Sequence, residues 1–109
     1  TLYGRRRALP EIASASAPRR QEAEREALNH PIQGTAADVI KLAMAAVSRD
    51  VPEAELLLTI HDELLFEVPR AAAARLAPRV RAAMEGVCAL SVPLLVEAAH
   101  GDSWAACHG

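Results

Sequence analysis

The chain is nearly devoid of aromatic side chains: Tyr3, Phe66 and Trp104 are the complete set in 109 residues. Large apolar groups are scarce too, because 24 of its hydrophobic residues are alanines. What remains makes a thin core, better suited to one side of a larger body than to a self-sufficient fold. Cysteine is also sparse. Cys88 and Cys107 form no CxxC pair and no metal-binding framework, so the sequence reads as an intracellular, cytoplasmic chain with reduced thiols. No apolar run approaches the roughly 20 residues that span a bilayer, and there is no signal peptide or internal repeat. A membrane partner is not expected. The chain opens at Thr1 rather than at a methionine, which reads as a piece of a longer polypeptide.

Net charge is small, at −2, but it is unevenly distributed. Residues 1–25 hold six arginines against three glutamates, whereas acids dominate from residue 26 onward. The whole chain does not announce a nucleic-acid binder, yet its amino-terminal end can contact phosphates. Within that end, Arg5, Arg6 and Arg7 are as readily a solvated basic run as a phosphate contact.

The most informative stretch is LLLTIHDELLFEVP, residues 56–69. Leu56–Ile60 and Leu64–Val68 are short, apolar and partly β-branched or aromatic, as strands are. Three residues, His61, Asp62 and Glu63, separate them, which suits a tight hairpin. Such turns usually employ Gly or Asn to reach positive φ, and neither is present. Two adjacent carboxylates also repel one another. Charged residues at a hairpin tip are commonly just solvated; the functional alternative is that these acids hold a hard cation such as Mg²⁺. Zinc fits less well, because His61 has no His or Cys partner at ligand spacing.

The remaining pattern is mainly helical. TLYGRRRALPEI reads as an extended arm or short strand pair broken at Gly4, followed by a small-residue loop over 13–18. Good helix formers fill Arg19–Asn29, and Pro31 is expected to interrupt them. Thr35 and Asp38 have the form of a capping box opening a second helix, whose stripe is Ala36, Ile40, Ala43, Met44 and Val47. A third helix is expected over Arg70–Glu85, kinked or divided at Pro78 and closed by Gly86 at C′. VPLLVEAA, 92–99, reads as a last strand. The order predicts an α+β fold, an antiparallel hairpin-centred sheet backed by helices.

Two stretches taken together, AEREALNHPIQGTAADVIKLAM at 23–44 and TIHDELLFEV at 59–68, closely resemble the carboxy-terminal part of the family A DNA polymerases of bacteria. The resemblance extends from TLYGRRRALPEI to VPLLVEAAHGDSW, nearly the full chain. It implies that residues 1–109 are a partial palm subdomain, with the upstream palm, fingers and thumb absent. By resemblance, Asp62 is a catalytic ligand of two Mg²⁺ ions, and Glu63 takes the supporting acidic position near them. His61 falls near the primer terminus, and Arg25, Asn29 and Gln33 fall where family members contact primer–template DNA. Minor-groove acceptors are common to all correct base pairs, so donors at these three positions would test pair shape rather than sequence.

The implied reaction adds a deoxynucleotide to a primer 3′ end by phosphoryl transfer at two cations roughly 3.5–4 Å apart. The second metal-binding Asp of the family lies outside this chain, so the isolated segment is expected to be inactive. Expected partners are primer–template DNA, deoxynucleoside triphosphates and the remainder of the polymerase. A polymerase-derived module that grips DNA without catalysis is the alternative. A His-Asp metal phosphohydrolase fits poorly, because His61 and Asp62 lie in a strand-flanked turn rather than on helices. Asp38 has a sufficient role in capping, while His30, His100 and His108 have no assigned role, and Cys107-His108 looks incidental.

Overall fold

The structure, a computed structural model, describes residues 1–88 and 94–108. The arm over residues 1–9 has a turn at its start, with Gly4 at φ +85°, and no strand. A 3₁₀ turn, Pro10–Ala13, follows it and leads into α1, Ala17–Asp50. Pro18 falls in the first turn of α1, where its missing N–H has no intrahelical use. A single helix of 34 residues stands where two were expected, and Pro31 lies inside it. Pro31 forfeits the bond to the Ala27 carbonyl, a loss that ordinarily breaks a helix. Ala27 is exposed, so water can reach that carbonyl, and the good helix formers Glu26, Ala27 and Leu28 precede the proline.

The chain divides within α1 into two units, Thr1–Val39 and Ile40–Gly109. In the first unit the arm is tied to α1. The Leu2 N–H donates to Thr35 Oγ1 at 3.0 Å, and Arg5 Nε donates to Asp38 Oδ1 at 2.8 Å. Arg5 also donates through Nη2 to the Gly34 carbonyl at 3.1 Å. Thr35 and Asp38 therefore form no capping box: both sit mid-helix, and each is engaged by the arm. A β-carbon at Gly34 would come within 2.7 Å of His30 Cε1 and 2.9 Å of Thr1 Cγ2, so glycine gives the arm its close approach.

The second unit contains the core. Val47 and Val51 at the end of α1, Ala54 and Leu76 form its buried centre. Packed against them are Phe66 and Val68 from the hairpin region and Ala72, Val80, Ala83 and Met84 around the following helix. The expected stripe on α1 is present at Ala43 and Val47, with Ile40 and Met44 half-buried, but Ala36 is exposed. The hairpin comprises β1, Glu55–Ile60, and β2, Glu63–Glu67, paired antiparallel. A register shift between Leu56 and Leu58 leaves Leu57 as the extra residue of a bulge.

After a 3₁₀ turn, Arg70–Ala72, the next helix is α2, Ala73–Glu85. Pro78 does not divide it, for the same reason as in α1: Ala74, whose carbonyl loses its partner, is exposed. Gly86 follows with φ −87°, so it is not the left-handed C′ residue expected. Arg79 fastens α2 to the end of α1, donating to Glu53 Oε2 at 2.8 Å and to the Asp50 carbonyl at 3.1 Å. Of the expected last strand, residues 92 and 93 lie outside the described residues, and 94–99 pair with no strand among the described residues. A short helix, α3, Trp104–His108, comes last. The fold is α+β, with helices packed on one antiparallel hairpin.

Candidate functional site

Strand pairing brings Ile60 opposite Glu63, so only His61 and Asp62 form the connection. Glu63 is the first residue of β2 rather than a third turn residue. A two-residue connection between right-twisted strands demands positive φ, and His61 supplies it at +54°. Among the described residues it is the sole non-glycine residue with positive φ. Histidine enters this region more readily than most side chains, but the conformation still costs on the order of 1–2 kcal/mol. Strain of this kind concentrates where a side chain must be held in a particular place.

All three tip residues are exposed. They differ in their partners. Asp62 makes no hydrogen bond or ion pair with other described residues. Glu63 faces α3: His108 Nε2 lies 3.1 Å from one carboxylate oxygen and 3.0 Å from the other. The other ring nitrogen, Nδ1, lies 2.8 Å from the Trp104 carbonyl, and the two rings touch with centroids 4.5 Å apart. Both nitrogens thus face acceptors, and only the doubly protonated ring donates to both. The Trp104 carbonyl first, and the Glu63 carboxylate second, raise the His108 pKa above its ordinary value.

His108 is therefore not incidental to the tip. Its i, i+4 spacing from Trp104 was a readable helical signal. Its approach to Glu63, 45 residues away in sequence, had no local signal.

Oxygen ligands from adjacent carboxylates suit a hard cation, and Asp62 with Glu63 is the donor set that fits Mg²⁺ here. Among the described residues no group of three or more His, Cys, Asp or Glu side chains converges as a metal site. The tip supplies two adjacent carboxylates and no more.

In the first unit, Arg25, Asn29 and Gln33 lie four residues apart on α1, all exposed, and line one open depression. Arg7, Glu26 and His30 line it as well. Arg7 Nη2 sits 3.3 Å from Glu26 Oε2, which brings the arm to the edge of the row. The three consecutive arginines thus separate in role: Arg5 ties the arm to α1, Arg7 borders the depression, and Arg6 is exposed. Charge counting had treated them alike.

Residues 1–106 match the family described as DNA polymerase family A. DNA polymerase I of Mycobacterium tuberculosis strain H37Rv is 50% identical over 99% of this chain, which covers 12% of that protein. The thermostable DNA polymerase I of Thermus thermophilus is 46% identical over 95% of the chain and 13% of its own length. Among solved structures, the POL domain of Pol1 from M. smegmatis, in complex with DNA primer-template and dNTP, superposes with a TM-score of 0.93. That relative is 45% identical, with all of this chain and 20% of the other covered. The chain spans about an eighth of the curated relatives it matches. With the match running from the arm to α3 at this level of identity, the chain belongs to DNA polymerase family A.

Proposed function

We propose that this chain is the carboxy-terminal palm part of a DNA-directed DNA polymerase, which extends a primer 3′ end with deoxynucleotides. The observation that carries the reading is the exposed Asp62–Glu63 pair beside a strained His61, in a chain of this family. A turn that merely reversed the chain would be easier to build with glycine at position 61.

Asp62, with Glu63 in support, would hold Mg²⁺ on the oxygen side that this chain supplies. When bound, such cations lower the pKa of an attacking hydroxyl and neutralise charge on a leaving phosphate. The residues of this chain bind and orient. His61 stands beside Asp62 and would lie near the primer terminus. Arg25, Asn29 and Gln33 would donate to minor-groove acceptors, N3 of purines and O2 of pyrimidines, that every correct pair presents. The DNA primer-template and dNTP in the solved relative support the same partners here. The remainder of the polymerase, which supplies the second metal-binding Asp, is a further partner on this reading. No described helix is long and apolar enough to cross a membrane.

The test is Asp62→Ala in the polymerase polypeptide that carries this segment. Loss of a shared ligand should lower kcat by several orders of magnitude, on the order of 4 kcal/mol or more of barrier. Near-normal turnover would refute the assignment of Asp62. The isolated 109-residue chain should incorporate no nucleotide with Mg²⁺. Primer extension by a rigorously purified sample would refute the fragment reading. The non-catalytic alternative predicts an upstream reading frame without the second metal-binding Asp.

A further inference from the structure

The two acids of the tip are adjacent in sequence but unequal in setting. Glu63 is spanned through both oxygens by His108 Nε2, and that ring is itself steadied by the Trp104 carbonyl and indole. Asp62, one residue earlier, is exposed and makes no contact of this kind among the described residues. Both ends of the His108 contact lie in the second unit, so the hairpin and α3 meet there directly.

We propose that His108 is a positioning residue for the hairpin tip: it holds the Glu63 carboxylate on α3, so that Asp62 is the carboxylate presented to a cation. The proposal rests on the cation reading of Asp62 given above. Glu63 then supports the cation from a fixed place, fastened to the carboxy-terminal helix, while Asp62 ligates it. An unrestrained Glu63 would offer a second set of oxygens beside Asp62. A cation would then bind more tightly but in a less defined place, which suits binding and harms chemistry. Trp104 belongs to the same device, because it fixes the His108 ring from within α3.

The test uses the polymerase polypeptide that carries this segment, bound to primer–template, with Mn²⁺ as the probe. Mn²⁺ binding is followed by electron paramagnetic resonance, and single-nucleotide incorporation is measured beside it. Freeing one exposed carboxylate near the cation should tighten Mn²⁺ binding in His108→Ala by about fivefold, the scale of one screened charge at close range. Its kcat should fall while primer–template Kd stays unchanged. His108→Arg, whose fork can span both carboxylate oxygens, should restore both properties. A Glu63→Gln, His108→Ala double variant should lose no more kcat than Glu63→Gln alone, because both changes break one contact.

Unchanged or weaker Mn²⁺ binding in His108→Ala, or an arginine variant indistinguishable from alanine, overturns the proposal. Asp62→Ala separates the two levels of the reading. If Asp62→Ala loses Mn²⁺ while His108→Ala matches the parent, only the positioning role falls. If Asp62→Ala binds Mn²⁺ like the parent, the cation reading itself falls, and this proposal with it.

Discussion

The face of α1 at Arg25, Asn29 and Gln33 and the hairpin tip at His61, Asp62 and Glu63 present polar side chains by opposite means. On α1 the means is repetition. Residues four apart share a face on any α-helix, so the row exists once the helix does. At the tip the means is exception. One residue accepts positive φ, and two like charges stand side by side against their mutual repulsion. Repetition suits a surface that must run along a regular duplex. Exception suits a point where a single group must be held, at a cost in local stability.

The largest effect on folding that would sharpen this contrast is expected at Leu76. It is buried beneath the hairpin side of the second unit, where Phe66 and Val68 also pack. Leu76→Ala should cost about 2–5 kcal/mol, the range for emptying a core position. Hydrogen exchange should quicken in β1 and β2 before it does around Arg25. Equal quickening in both regions would break the division between them.

Next in size is the turn itself. His61→Gly relieves about 1–2 kcal/mol of left-handed strain. It also adds the roughly 0.5–1 kcal/mol that glycine loses on ordering. Denaturant melts should show net stabilisation of about 0–1.5 kcal/mol, while the polymerase carrying the change extends primers more slowly. Unaltered extension would mean that the strained His61 serves only the turn.

A comparable but differently distributed loss is expected on α1. Gln33→Ala removes one hydrogen bond, about 0.5–1.5 kcal/mol. Extension should slow by a similar factor from all four terminal base pairs, since the acceptor is common to them. Slowing confined to one pair would replace shape-testing with sequence reading.

The smallest effect concerns pH. A hydrogen bond to its own backbone N–H, and then Arg79, lower the Glu53 pKa below its ordinary value. A carboxylate lowered on folding lends stability above its unfolded pKa and loses it as pH falls through its folded pKa. A Glu53→Gln chain should therefore be slightly less stable than the parent at neutral pH. The gap should close as the solution is acidified below the ordinary carboxylate range. A gap independent of pH in parallel melts would remove Glu53 from the account.

These regions also differ in how much of them could be read from sequence. The hairpin was legible because its apolar runs are short and its tip breaks a turn rule; only boundaries moved by one residue, with Glu55 joining β1, Glu63 joining β2 and Val68 leaving it. The helices were legible in composition but not in extent. Local rules put a break at Pro31 and a cap at Thr35, and each lost to a contact or exposure that sequence does not encode. Ala27 is open to water, and Thr35 is taken by Leu2 across 33 residues. The contact of His108 with Glu63 was illegible for the same reason: it depends on where α3 lies, not on its neighbours in the chain.

The most direct test of the division between grip and chemistry is a salt series of primer–template binding for Asp62→Ala and Arg25→Ala, with incorporation rates measured on the same samples. Arg25 brings a positive charge to its minor-groove contact, close to the backbone phosphates, whereas Asp62 can only repel them. Arg25→Ala should weaken binding and flatten the dependence of log Kd on log salt, by about one unit of slope if it neutralises one phosphate. Asp62→Ala should leave both the affinity and the slope close to the parent's while incorporation all but disappears. An Asp62→Ala enzyme that lost DNA affinity but kept its rate at saturating DNA would contradict the account.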